Sequence, residues 1–329
     1  MTIDRRAFLL NVGISLGAAA MSAPSGRAWG ASNPVRIGVL IPGSKDDHGW
    51  MESAYGGVKA SQARYGDKAK ITWIENVKFG DMEQALVELA SKNDMVIGAA
   101  GQTQAAVLKV AKRFPGVRFT IVGPTGQPTA NVAQYDVLQA QIGYVAGAVA
   151  AMLSKHGAVS YVGGLEIPAV VNTGIEFAHG AKSVRPDIRC LTSYTGDFDD
   201  VAKAREATIT AIAQGADVHY GILNLGVRGM EQAAHDAGTK LIGGYSNYCG
   251  DHNPLYVAYT VSGIGFMVEY AIDQMMAGTW KPEYKRFGLA MGPRSAGIDI
   301  CGSATPEMQA RIDSIEHDLV SDKIKILVG

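Results

Sequence analysis

Cysteine is scarce and odd in number: Cys190, Cys249 and Cys301 are the only three in 329 residues. Three thiols cannot all pair within one chain, and no C-x-x-C spacing occurs, so neither a disulfide framework nor a thiol metal site is written in the sequence. One disulfide stays open, but buried small hydrophobes are the expectation for these residues. An excess of either charge is missing as well. Lys and Arg number 30 against 31 Asp and Glu, a formal net charge of -1, which removes nucleic acid and an anionic membrane as expected partners. Gly is abundant at 40 residues but shows no period, so a fibrous chain is excluded. What remains is 47% hydrophobic and 19% charged residues, the composition of a globular protein with a substantial core. A chain of this length usually outgrows one core, so two domains are expected.

The N-terminal segment lacks the roughly 20 apolar residues that a membrane-spanning helix needs. Its apolar run is shorter and carries Asn11, Gly13 and Gly17. The run follows the paired arginines of Asp4-Arg5-Arg6-Ala7-Phe8-Leu9-Leu10 and closes on small residues, with Ala28-Trp29-Gly30 as a cleavage site. This is the pattern of a twin-arginine export signal, expected over residues 1–30. No Cys lies near the cleavage region to accept a lipid, so the mature protein is expected to be periplasmic and not lipid-anchored.

Beyond the signal, apolar runs alternate with helical patterns. Residues 35–41 are apolar except for Arg36 and Gly38, as in a strand buried on both faces. Further strands are predicted at 71–74, 95–99 and 119–122, with helices at 51–65, 81–92 and 103–114. The pattern then restarts. Leu138, Ile142, Val145, Val149 and Met152 step by four and three, one stripe of a helix. Strands follow at 159–162, 188–191, 218–222, 241–243 and 257–261, with helices at 200–214 and 263–278. Asp200 is placed to cap the first of these helices, and Thr305-Pro306 reads as a cap and first-turn proline of a final helix. Strand–helix alternation means right-handed crossovers and parallel sheets, so the fold class is α/β with two doubly wound lobes. No Pro- or Ser-rich linker separates them, so the chain is expected to cross several times through a stiff hinge. The lobes are expected to comprise 34–136 plus 256–286, and 137–255 plus 287–329.

Catalytic motifs are missing. The seven histidines show no H-E-x-x-H, and His48 beside Asp46 and Asp47 offers three adjacent side chains that point in different directions. Gly244-Tyr245-Ser246-Asn247-Tyr248 misses a G-x-S-x-G elbow at its last position. Gly98-Ala99-Ala100-Gly101-Gln102-Thr103 resembles a phosphate loop without its Lys, and no G-x-G-x-x-G follows residues 35–41. No metal or cofactor is therefore expected, and a binding protein is favoured over an enzyme. Polar and aromatic loops follow the predicted strands at 42–50, 194–200, 223–226 and 244–248, where ligands of such sheets sit.

These loops carry a resemblance to the basic membrane protein (BMP) family of substrate-binding proteins, which serve ABC importers and are best known for purine nucleosides. It runs from residue 35 to about 289. Its markers are the Asp47–Trp50 turn with Ser53-Ala54-Tyr55-x-Gly57, and Arg113-Phe114-Pro115-Gly116-Val117-Arg118-Phe119. Asn131-Val132, Tyr144-Val145-Ala146-Gly147-Ala148-Val149-Ala150-Ala151, Val162-Gly163-Gly164 and Phe177-x-x-Gly180-Ala181 continue it. Gly196-Asp197-Phe198-Asp199-Asp200-x-x-Lys203 and Gly215-Ala216-Asp217-Val218 complete it.

The resemblance implies a type I periplasmic-binding-protein fold that closes on its ligand, with a flat base held between the rings of Trp50 and Phe198. Each such stack contributes roughly 1–3 kcal/mol. Asp47 would accept from ligand N–H or O–H groups; the alternative for it is a charge at a helix start. For Trp50 the alternative is packing on its own lobe, and for Phe198 an ordinary core aromatic. On this basis the expected ligand-binding residues are Asp47, Trp50, Met51, Gln102, Phe198, Asn224, Gly226, Tyr245, Asn247 and Tyr248. Three departures bear on the ligand. Gly123 stands where nucleoside-binding members carry Asp, 242–248 lack the family's acidic residues, and Ser262 falls near the position of a ribose-binding Lys. A free purine base is therefore the expected ligand and a nucleoside the next, with Tyr245, Asn247 and Tyr248 in the vacated ribose space. The expected partners are that ligand and an inner-membrane ABC permease, the protein itself being a monomer. A sensor for a membrane receptor, a simple-sugar binder and a nucleoside-processing enzyme are the alternatives.

Overall fold

The structure is a computed structural model that describes residues 33–328 apart from 124–125, 246, 250–253 and 303. The expected export signal lies outside the described residues, among which no helix is long and apolar enough to cross a membrane.

The first sheet opens with β1 (Val35–Ile41), buried from residue 37 onward. The chain continues through α1 (Trp50–Tyr65), β2 (Ala69–Glu75), α2 (Met82–Lys92), β3 (Met95–Gly98), α3 (Gln104–Ala111), β4 (Arg118–Val122) and β5 (Val132–Val137). It then enters the second half with α4 (Gln139–Leu153), β6 (Ala158–Gly163), α5 (Pro168–Val184), β7 (Arg189–Tyr194), α6 (Val201–Ala213) and β8 (Val218–Ile222). There follow α7 (Val227–Ala237), β9 (Lys240–Gly243), β10 (Tyr256–Val261), α8 (Ile264–Met276), β11 (Tyr284–Phe287), β12 (Gly297–Ile300) and α9 (Pro306–Val320). The caps expected from sequence form: Asp200 accepts from Lys203 N at 3.0 Å, and Thr305 from Met308 N at 3.2 Å.

Two six-stranded sheets result, in the orders β11-β5-β4-β3-β1-β2 and β12-β10-β9-β8-β6-β7. Among the described residues, every pairing between these strands is parallel except β10 with β12. The chain passes between the sheets three times, at 137–139, 261–264 and 287–297. In each half the helix that arrives across a crossing packs backbone-close on the helix after that half's first strand. Thus α8 meets α1 at Gly57 and Gly265, and α4 meets α5 at Gly147 and Gly180.

Four features depart from the sequence reading. Residues 256–261 belong to the second sheet, not the first lobe, because β10 pairs with β9 on one side and β12 on the other. The expectation of three buried thiols also fails, since Cys249 and Cys301 form a disulfide and only Cys190 is free. The pairing of β10 with both neighbours brings the loop after β9 to the end of β12, across 52 residues of chain. Strands β5, β11 and β12 were not expected. In β5 the polar Gln134 and Asp136 are buried at 1% and 8% exposure, and they break the apolar signature. Finally, α4 is buried nearly all round, not along one stripe, because it is enclosed by the second sheet, α5 and α9.

Candidate functional site

The loops at the carboxyl ends of the two sheets meet around the start of α1. Asp47 shapes this turn. Its buried carboxylate accepts from the backbone N–H of Gly49 (2.9 Å), Met51 (3.2 Å) and Glu52 (3.0 Å), so it satisfies the free donors at the helix start. Burial pushes its pKa up, and the three amides work against that shift. Most of its acceptor capacity is thus used within the protein. Asp46 turns to Lys45 at the surface, so the acidic pair beside His48 does not converge. Met51 is buried at 8% exposure and joins the core behind the turn.

Trp50 is held from the first half. Its indole Nε1 donates to Ala99 O at 2.8 Å, which ties α1 to the loop after β3. Its six-membered ring covers Gly123, just after β4, where a β-carbon would lie 2.5 Å from Cζ2. Gly123 also has φ +90, a conformation that L side chains rarely adopt. The indole and a side chain at 123 cannot share that space, so the glycine is a seat for the ring. The opposite edge of Trp50 faces Tyr245 of the second half, with ring centroids 6.1 Å apart at 66°.

Phe198 has a matching arrangement in the second half. Its ring packs on the backbone of Gly164, after β6. Its carbonyl oxygen accepts from Asn224 N and Gly226 N, each at 3.0 Å, which fixes the loop after β7 to the start of α7. Asp199 reinforces this by accepting from Leu225 N at 3.1 Å. Asn224 reaches back across the mouth, its Oδ1 3.5 Å from Trp50 N.

Tyr245 is a non-glycine residue at φ +67, an uncommon backbone state that clusters at ligand clamps. Its hydroxyl accepts from Gln139 Nε2 at 3.0 Å, and burial pushes its pKa up, so it stays protonated. Tyr248 stacks on Tyr256 at 4.3 Å and 15° and donates to His48 O at 2.9 Å. Gln139 was not anticipated. It is the first residue of α4, a polar side chain ahead of an apolar stripe, and that polar start was its only signal in the sequence.

Six of the expected residues therefore gather at the turn: Asp47, Trp50, Met51, Asn224, Tyr245 and Tyr248. Phe198 and Gly226 stand together on the facing loops. Two residues lie apart. Asn247 is exposed and accepts from Cys249 N at 2.9 Å in a local turn, and Gln102 is exposed beyond β3. Two cavities flank the crossings. One of about 390 Å³ includes Gln139, Asn172, Arg286 and Lys325 in its lining, and one of about 330 Å³ includes Ser53, Tyr245, Phe266 and Arg294. Gln139 and Tyr245, joined by their hydrogen bond, each line one of them; Trp50 and Phe198 line neither. Ser262 is buried, and its hydroxyl has no hydrogen-bond partner among the described residues.

Two doubly wound sheets joined by three crossings, with their strand-end loops meeting at an aromatic-lined mouth, make up the type I periplasmic-binding-protein fold of solute receptors. A solute-binding protein of an ABC transporter system from Aeropyrum pernix superposes with a TM-score of 0.78 at 19% identity, over 90% of this chain and 94% of that one. The chain belongs to the Bmp family, the PnrA-like ABC transporter substrate-binding proteins, whose family model matches residues 34–299. It is 30% identical to a purine-binding protein of Brucella abortus over 91% of this chain and 87% of that protein. It is 24% identical to the ABC transporter nucleoside-binding protein BmpA of Lactococcus lactis, over 70% of each.

Proposed function

We propose that this substrate-binding protein takes up a free purine base between its two halves, outside the cytoplasm, and delivers it to an ABC permease. The observation that carries the reading is the paired seating of Trp50 on Gly123 and Phe198 on Gly164, one flat ring from each half at the mouth. A planar heteroaromatic matches two such rings because every base has a π-face. The purine-binding relative at 30% identity supports the same ligand class.

Three features favour a base over a nucleoside. The hydroxyl of Tyr245 is engaged with Gln139, so this side chain fills space and offers little to a sugar. Asp47 is engaged with α1. Ser262 brings no cation where a ribose diol would need one, and an unpaired buried hydroxyl costs affinity. The Cys249–Cys301 disulfide fits an oxidising compartment and so supports export. The enzyme alternative gains nothing from the close Ser160–His219 pair. It is buried within β6 and β8, with the second ring nitrogen of His219 held by Thr239, so no nucleophile is reachable there.

The test is isothermal titration of the protein lacking residues 1–30 against adenine, guanine, hypoxanthine, their nucleosides and simple sugars. Binding of bases well ahead of nucleosides is expected. Nucleosides ahead of bases would discard the reading of Tyr245 but keep the purine class. A response to sugars alone would discard the purine class.

A further inference from the structure

The chain after β9 reaches the opposite half. Tyr248 is the gripping residue. Its ring is stacked on Tyr256 of β10 and lies against Gly243 at the end of β9, so the side chain is immobilised from below. The next residue, Cys249, is bonded to Cys301, just beyond β12. Two independent restraints, an aromatic stack and a covalent bridge, therefore fix the direction in which the Tyr248 hydroxyl points. It points at the first half and donates its single proton to His48 O at 2.9 Å.

The receiving turn is equally defined. His48 has φ +57, which is rare for a residue with a side chain. Its N–H donates to Glu52 Oε2 at 2.9 Å, and its ring Nε2 accepts from Arg228 Nη2 of α7 at 2.8 Å. A guanidinium can only donate, so Nε2 is the acceptor in this contact, and Nδ1 lies 3.8 Å from Glu52. One residue of the first half is thus held by two residues of the second, through its carbonyl and its ring.

We propose that Tyr248, oriented by the Cys249–Cys301 bridge, is a clasp that holds the halves shut on the carbonyl of His48 and sets how long a ligand stays bound without reading its identity. Tyr248 is then a positioning residue and not a ligand contact. The ligand named in the test rests on the purine reading above, while the clasp itself needs only that the halves open and close.

Tyr248→Phe removes the hydroxyl and keeps the stack on Tyr256. In the full mature chain, stopped-flow Trp fluorescence with adenine is expected to show dissociation roughly two- to tenfold faster, the range of one lost hydrogen bond. The order of preference among bases and nucleosides is expected to stay as in the parent. The Cys249→Ser/Cys301→Ser double variant is expected to speed dissociation in the same direction, through a freed loop. A changed order of preference would make Tyr248 a ligand-reading residue, and an unchanged dissociation rate would remove the clasp. A second measurement is independent of any ligand. Spin labels at the exposed Ser91 of α2 and Glu206 of α6 report the spacing of the halves, and Tyr248→Phe is expected to shift it toward longer distances. If adenine does not bind but the spacing shifts, the purine reading fails and the clasp stands. If the spacing is unchanged, the clasp fails whatever binds.

Discussion

The two halves of the molecule share a plan and differ at their rims. Each sheet runs second strand, first, third, fourth, fifth, then one strand added late in the chain. Each half also receives a helix across a crossing and packs it through glycine on its first helix, α8 on α1 and α4 on α5. Each seats one ring, Trp50 or Phe198, on a glycine beyond a strand end. The late strand breaks the likeness: β11 joins the first sheet parallel to β5, whereas β12 joins the second antiparallel to β10. That reversal leaves the end of β12 beside the loop after β9, where the disulfide forms. The first half therefore offers a short turn braced by Asp47, and the second offers Tyr248, beside the Cys249–Cys301 bridge, which bonds to that turn. Common folding yields the two platforms, and one reversed edge strand yields the asymmetry of the mouth.

The shared plan is most severely tested at the helix pairs. A β-carbon at Gly147 would lie 1.9 Å from Phe177 O, and one at Gly57 would lie 2.2 Å from Gly265 O. Gly147→Val and Gly57→Val are each expected to destabilise by about 3 kcal/mol or more, since backbone cannot yield as a side chain can. Urea unfolding measures this. A single transition in both variants means that the halves unfold as one; a split transition in only one of them means that their stabilities are separate.

A smaller effect separates the halves by pH. His219 lies buried in β8, bonded to Ser160 and Thr239, and burial pushes its pKa down to about 4 from 6.5. The unfolded chain therefore binds a proton at this residue that the folded chain refuses. Stability is expected to be complete above pH 6.5 and to fall as pH drops toward 4, by an amount on the order of 2–3 kcal/mol at the acid end. Thermal midpoints across this range check the slope, and His219→Gln is expected to flatten it. An unchanged slope in that variant would place the acid sensitivity elsewhere.

The two rings give the finest comparison. Trp50→Ala and Phe198→Ala are each expected to weaken purine binding by about 1–3 kcal/mol, read by titration calorimetry. Similar losses would mean that both halves grip the base alike. A loss confined to Trp50 would give the second half a closing role without a stacking one.

Legibility followed chemistry. β1 and β8 match their predicted bounds because their mostly apolar runs are buried on both faces, β1 from residue 37 onward. β5 escaped because Gln134 and Asp136 are buried with partners that no local pattern reveals: Gln104 for the one, Tyr284 for the other. The site was legible where one loop carried several signals at once, as at 47–50. It was not legible where a role depends on a distant atom. The Tyr248 hydroxyl has no visible partner until His48 is brought to it, and Gln139 has none until Tyr245 arrives from 106 residues away.

The three crossings leave one further mark on the molecule. All of them run between the β5–β11 edge of one sheet and the β10–β12 edge of the other. A door hung on three pins turns about one line and resists twisting. Motion is then least beside the pins and greatest at the free margins, beyond β2 and β7. Phe79, 73% exposed just past β2, sits on such a margin. A force applied there would have the longest lever for turning one half against the other.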